Sequence, residues 1–146
     1  MQKLVPQAGD DTAQTALSQR RSSAEGPARI LLVEDDDLVR DHARGLLEGM
    51  GYAVHAEADP SSALSVVEAG SEFDLLFTDI VMPGEMNGLE LARAVRALRP
   101  DIAVLCTSGY AGSVLDDVTG EAADFGFVRK PYRRAELLRH LRTKLG

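Results

Sequence analysis

Only one cysteine, Cys106, occurs in the chain, so no intrachain disulfide can form, as suits a reducing compartment. No apolar run approaches the length of a membrane span. The start, Met1-Gln2-Lys3-Leu4-Val5-Pro6, has neither the apolar stretch nor the small-residue cleavage site of a secretory signal. A cytoplasmic protein without a membrane partner is therefore expected. Basic charge is also scarce: Asp+Glu 23 against Lys+Arg 16 gives a net charge of -7, which argues against a general binder of nucleic acid or acidic membranes. No long-period repeat is visible. What is present is 146 residues with 45% hydrophobic and 27% charged content, the composition of one soluble domain with some length to spare.

Residues 1–27 are rich in Gln, Ser, Thr, Ala and Gly and lack any sustained apolar period, so they read as a flexible tail or linker before a domain at 28–146. From Arg29 onward, short apolar runs alternate with amphipathic stretches, the signature of a βα repeat around a parallel sheet. Ile30-Leu31-Leu32-Val33 is continuous and apolar and stops at acids, as a strand buried on both faces should. Asp36 to Met50 sets Leu38, His42, Leu46 and Met50 one helical turn apart, with Val39, Ala43 and Leu47 beside them. Tyr52 to Ala56 is a weaker strand, and Asp59-Pro60 opens a helix that Gly70 closes. Phe73 to Phe77 forms a third strand ending at Thr78-Asp79. Leu89, Ala92, Val95 and Leu98 stripe the next helix, which Pro100 closes. Ile102 to Leu105 makes a fourth strand ending at Cys106-Thr107-Ser108, followed by a short helix near Val114 to Val118. Phe125 to Val128 is the fifth strand, and a last helix carries Leu137, Leu138, Leu141 and Leu145. Five strands and five helices thus alternate along the sequence.

Right-handed crossovers in such a repeat gather all strand C-terminal ends on one edge of the sheet, where ligands bind. The polar residues fall there. The first strand ends in Glu34-Asp35-Asp36, the third in Asp79, the fourth in Thr107-Ser108 and the fifth in Lys130-Pro131. Carboxylates held close repel one another, and a bound cation relieves that strain at neutral pH. Oxygen ligands alone select a hard ion, and few protein ligands supplemented by water suit Mg2+. Asp79 is then equipped as a nucleophile toward phosphorus, with Lys130 and Ser108 placed to stabilise the transferring group.

Ile-Leu-Leu-Val-Glu-Asp-Asp at 30–36, Thr-Asp-Ile-Val-Met-Pro at 78–83, Asn87-Gly88, Thr-Ser-Gly-Tyr-Ala at 107–111 and Lys130-Pro131 together resemble the motif set of response-regulator receiver domains. The resemblance covers roughly residues 28 to 145. It implies a flavodoxin-like (βα)5 fold with a five-stranded parallel sheet of order 2-1-3-4-5 and helices on both faces. It implies Asp79 as phosphoacceptor, Asp35 as a direct Mg2+ ligand alongside Asp79, Glu34 acting through water, and the main-chain carbonyl of Val81 as a further ligand. Ser108 and Lys130 would hold the phosphoryl oxygens, and Ser108 and Phe127 would form the switch. The implied donor is a histidine kinase or a histidine phosphotransfer protein, and a phosphorylation-dependent homodimer is consistent with the family. The only chemistry implied is self-catalysed phosphotransfer and dephosphorylation. There are departures: Glu34 replaces the more common Asp, Phe127 replaces Tyr, and Gly84-Glu85-Met86 lengthens the loop after Asp79 by one residue, as in receivers of hybrid histidine kinases. The stretch around Val114 to Ala123 departs most.

Asp36 and Asp37 are best read as a solvated helix start, where acids suit the positive end of the helix dipole. Cys106 reads as a small core residue. His42 and His140 lie on amphipathic helices and read as structural or surface groups. Arg133, Arg134, Arg139, Arg142 and Lys144 suggest a basic stripe, yet Glu136 interrupts it and no helix-turn-helix follows. A phosphatase of the haloacid-dehalogenase type is the competing enzyme reading, since Asp35-Asp36-Asp37-Leu38-Val39 fits a nucleophile Asp-x-Asp-x-Val pattern. Against it stand the short chain and the lack of a later acidic pair at a strand end; Asp116-Asp117 falls in a loop or helix. A receiver-like module that is never phosphorylated would need a broken acid site, and every required position is filled.

Overall fold

The computed structural model describes residues 26–108 and 125–145. Its strands are β1 (Arg29–Val33), β2 (Ala53–Glu57), β3 (Leu75–Asp79), β4 (Ala103–Ser108) and β5 (Gly126–Arg129). All neighbouring pairs are parallel, and they form one sheet of order β2-β1-β3-β4-β5, the order expected. The described helices are α1 (Asp37–Gly49), α2 (Pro60–Glu68), α3 (Gly88–Leu98) and α4 (Arg134–Leu145). Residues 1–25, most of the expected tail, and the expected helix near Val114 to Val118 lie outside the described residues.

The continuous apolar runs are explained by the two cores that sandwich the sheet. Leu31, Val33, Leu76, Val104 and Cys106 pack with α2 and α3 through Ala63, Val67, Leu91, Ala92 and Val95. Ile30, Leu32, Leu75, Phe77, Leu105 and Val128 pack with α1 and α4 through Ala43, Leu47, Leu137 and Leu141. Because alternate residues serve opposite cores, β1, β3 and β4 need apolar side chains on both faces. Strand β2 lies at the sheet edge and stays half-covered, which is why its sequence signal is weaker.

Helix starts follow from capping. Asp36 accepts from the Val39 amide at 3.0 Å and Asp59 from the Ser62 amide at 2.8 Å, each satisfying an orphan donor of the first turn. Asn87 and Glu90 form a reciprocal capping box at α3. The apolar stripe of α1 differs from the expected one. Leu38 is 81% exposed and His42 is exposed too, while Ala43 and Leu47 carry the buried face. The packing of α1 onto the sheet is made from Ala43 onward, through Ala43, Leu46, Leu47 and Met50, and does not include Leu38. In α3 the expected Ala92 and Val95 are buried and Leu89 packs against the core, but Leu91 joins them and the expected Leu98 is 41% exposed.

Candidate functional site

Three carboxylates converge at the C-terminal edge of the sheet. Glu34 directly follows β1, Asp35 comes next, and Asp79 ends β3; one oxygen from each lies within 4.8 Å of the others. Glu34 and Asp79 are buried, at 4% and 7% exposure, and Asp35 is open to solvent. Lys130, immediately after β5, bridges the two buried acids: its Nζ donates to Glu34 Oε1 at 2.7 Å and to Asp79 Oδ2 at 3.2 Å. Its own backbone N–H donates to the Ser108 carbonyl at 2.9 Å, which ties the end of β5 to the end of β4. The sequence-predicted Glu34, Asp35, Asp79 and Lys130 are thus brought together from three strands.

Electrostatics follow from burial and charge count. Three carboxylates against one ammonium leave a net charge of -2 in the cluster. Burial raises the pKa of Glu34 above its ordinary value, although the hydrogen bonds from Lys130 and from the Asp36 backbone oppose it. Burial also raises Asp79, against the charge and hydrogen bond of Lys130 and an amide bond from Val81. For Lys130, burial disfavours the charged form, but the Glu34 hydrogen bond and the Asp79 and Glu34 charges outweigh it, so its pKa is raised. Tyr132, whose ring meets Phe77 at 5.9 Å, is raised chiefly by burial. An all-oxygen cluster with a surplus of two negative charges and one open member fits a hard divalent cation.

The ammonium is the counter-charge within the carboxylate cluster. Lys130→Met is expected to cost about 2 kcal/mol of stability at neutral pH, below the 3–5 kcal/mol typical of a fully buried pair because the lysine side chain is 22% exposed. The pKa of Lys130 is raised, so its contribution is fully present at neutral pH and disappears only above its ordinary range. The pKa values of Glu34 and Asp79 are raised as well, so protonation removes the uncompensated charges as pH falls through their folded values. Urea unfolding should accordingly show the full deficit at pH 7.5 and a much smaller one at about pH 4. An equal deficit at both would assign Lys130 a packing role instead.

The remaining sequence-predicted residues lie at the same edge or behind it. Ser108 ends β4 and is 1% exposed. Val81 is the second residue of the loop after β3, and its backbone N–H donates to the Asp79 carboxylate. Phe127 lies opposite Cys106 in β5, half-buried against the core that includes α2 and α3. Cys106 is fully buried, which raises its thiol pKa to about 12 and leaves it chemically inert. Asp36 is the α1 cap, and Asp37 pairs with Arg40 at 2.5 Å. Asp37 is therefore not joined to Asp35 in the carboxylate cluster, which weakens the Asp-x-Asp phosphatase reading.

Arg40 was not singled out by sequence reasoning, and the contacts made by Thr78 and Gly88, although both lie in quoted motifs, were not foreseen. Arg40 donates to the Glu34 carbonyl at 2.9 Å and so pins the acidic turn; it follows the acids by little more than one helical turn, the one signal that marks it. Thr78 donates from its hydroxyl to the Asp79 carbonyl at 2.9 Å. Gly88, the first residue of α3, donates from its amide to the Ile80 carbonyl at 2.8 Å. A Cβ there would stand 1.9 Å from the Asp79 carbonyl oxygen, a closeness that no local sequence pattern reveals.

Residues 30–142 match the family model of the response regulator receiver domain. The chain belongs to that family. Among curated relatives of this receiver, the sensor kinase CckA of Brucella abortus is 36% identical over 140 residues, covering 92% of this chain but only 15% of the kinase. The receiver protein CpdR of the same organism is 35% identical over 117 residues, covering 80% of this chain and 96% of CpdR. The response regulator MprA of Mycobacterium sp. (strain KMS) is 34% identical, and the match spans 51% of its length. Among solved structures, the chemotaxis protein CheY4 of Vibrio cholerae superposes with a TM-score of 0.74 at 26% identity, covering 82% of this chain and all of that one. A CheY-like receiver domain from Methanospirillum hungatei gives 0.74 at 31% identity, covering 82% and 94%. The receiver function is two-component signalling by phosphoryl transfer to an aspartate, and domains of this kind work with histidine kinases or phosphotransfer proteins. No helix among the described residues is long and apolar enough to cross a membrane.

Proposed function

We propose that Asp79 is the phosphoacceptor of this receiver and that Mg2+ is its resident cation. The observation that carries the reading is the Glu34, Asp35 and Asp79 cluster bridged by Lys130, because it joins a buried nucleophile, an oxygen-only cation site and a movable counter-charge in one place. Asp35 and Asp79 would hold the ion directly, Glu34 through water and Val81 through its main-chain carbonyl. Bound Mg2+ would neutralise charge on the transferring phosphoryl group. An Asp79 carboxylate oxygen attacks phosphorus, the new O–P bond forms as the P–N bond to the donor's imidazole breaks, and the imidazole leaves with the electron pair and takes up a proton. Lys130 exchanges its carboxylate partners for phosphoryl oxygens, and the Ser108 hydroxyl donates to the same group. Positioning and charge stabilisation supply most of the catalysis in such a transfer.

On this reading the protein is a regulatory switch, not an enzyme acting on an outside substrate. It receives its phosphoryl group from a histidine kinase or histidine phosphotransfer protein in the cytoplasm. Motion of Ser108 toward the phosphoryl group would free space behind β4 for Phe127, remodelling that face for a protein partner or a second copy of the chain. The test is to incubate the protein with acetyl phosphate and Mg2+, then trap and map the product by mass spectrometry. One phosphoryl group on Asp79, absent when EDTA is added, is the expected result. A group on Asp35, or donor hydrolysis with no adduct, would overturn the assignment.

A further inference from the structure

Strands β3 and β4 place Asp79 directly opposite Thr107, and the Ile80 amide donates to the Thr107 carbonyl at 2.9 Å. One pair earlier along the same faces, Phe77 and Leu105 both point into the core shared with α1 and α4. Side chains alternate between faces, so Thr107 and Asp79 share that side of the sheet on neighbouring strands about 4.8 Å apart. Thr107 is 4% exposed, and its hydroxyl is buried with no hydrogen-bond partner among the described residues. An orphaned buried hydroxyl destabilises a fold by about 1–3 kcal/mol. Valine would fill the same volume without that cost, so the hydroxyl needs a partner in another state of the molecule.

Building on the assignment of Asp79 as phosphoacceptor, we propose that the Thr107 hydroxyl is a hydrogen-bond donor held for the Asp79 carboxyl group, engaged when Lys130 turns to the phosphoryl group, and that it hastens hydrolysis of the acyl phosphate. In the present state Lys130 occupies Asp79 Oδ2 at 3.2 Å while also holding Glu34 at 2.7 Å. A phosphoryl group on Asp79 adds stronger acceptors and draws the ammonium away. Rotation about χ1 then lets the Thr107 hydroxyl turn to the carboxyl oxygen.

The consequence for rate follows from where charge develops. In hydrolysis a water oxygen attacks phosphorus, the bond from the Asp79 oxygen to phosphorus breaks, and the carboxylate leaves with the electron pair; inorganic phosphate carries away the oxygen and protons of the water. A donor beside the carboxyl group bonds a forming carboxylate more strongly than a neutral acyl oxygen, so it lowers the barrier to release.

The test uses the full chain with acetyl phosphate and Mg2+, followed by desalting and loss of the adduct by intact mass with time. Thr107→Val is expected to lengthen the half-life of the adduct at least about threefold. Thr107→Ser, which keeps a hydroxyl, should stay near wild type. Thermal unfolding of both variants is measured alongside, and Thr107→Val should melt at or above the wild-type temperature. An unchanged half-life in Thr107→Val, or a longer one in both variants, overturns the proposal; so does a drop in melting temperature without a change in lifetime, which marks a structural hydroxyl. Failure of the Asp79 assignment shows separately, as a wild-type adduct that is missing or maps elsewhere, and it takes this proposal with it.

Discussion

Asp79→Asn is expected to abolish phosphorylation by acetyl phosphate while making the metal-free protein more stable at neutral pH. Loss of the modification follows because an amide is not a nucleophile toward phosphorus under these conditions. The gain in stability follows from burial. Asp79 is 7% exposed and its pKa is raised by that burial despite the nearby ammonium. A carboxyl group whose folded pKa lies above its unfolded one contributes stability below the unfolded pKa and loses it as pH rises through the folded value. At pH 7.5 the wild type bears that penalty in full. The neutral amide does not, and its carbonyl still accepts from Lys130. A rise in Tm on the order of a few degrees is expected in EDTA. With Mg2+ at 100 times its Kd, the wild type recovers about 2.7 kcal/mol by mass action, and the order of the two melting temperatures should reverse or close. Scanning both proteins by calorimetry with EDTA and with Mg2+ checks this. A variant that melts below wild type in EDTA would mean that Asp79 stabilises the fold as an ion pair and is not held there for function.

The strands and the acids at their ends were legible in the sequence for one shared reason. A doubly covered parallel sheet demands apolar runs such as Ile30 to Val33 and Leu75 to Phe77, and the residues where those runs stop must lie on the functional edge. Glu34, Asp35, Asp79 and Lys130 all sit at such stops. Helix faces were less legible. The periodicity of α1 is equally consistent with Leu38 or Ala43 at its centre, and only packing in three dimensions decides that Ala43 and Leu47 are buried while Leu38 stands in solvent. Contacts made by backbone or by long side chains were hidden for another reason. Arg40 reaches the Glu34 carbonyl and Lys130 prefers Glu34 over Asp79 by 0.5 Å, from 2.7 to 3.2 Å. Neither distance is encoded in spacing along the chain. The family resemblance did indicate Asn87-Gly88 as a motif, but its physical purpose appears only when α3 is seen against β3.

Gly88→Ala is expected to be the most damaging single-methyl change at the site. The added Cβ would lie 1.9 Å from the Asp79 carbonyl oxygen, 2.8 Å from its carbonyl carbon and 2.9 Å from Ile80 Cα. All three atoms are backbone, so no rotamer change relieves the clash, and β3 or α3 must move. Strand β3 is held on both sides by β1 and β4 and every residue in it is buried. Helix α3 is held by its capping box and by the Gly88 amide bond to the Ile80 carbonyl at 2.8 Å. Displacing the helix breaks that bond and opens the packing of Leu91 and Ala92 behind it. A cost of about 3 kcal/mol or more is expected, at the upper end of overpacking effects, with Tm lower by about 10 °C. The site should suffer as well, because the displaced backbone is that of Asp79 and of the residue before Val81. Mg2+ affinity, followed by the shift in urea midpoint on adding the ion, should fall along with stability. Gly45→Ala provides the control, since a Cβ at that helical glycine meets nothing within 4 Å; it should leave Tm unchanged or raise it slightly. If Gly88→Ala unfolds at the wild-type urea midpoint and binds Mg2+ as tightly, then β3 and α3 are not packed as closely as the structure has them.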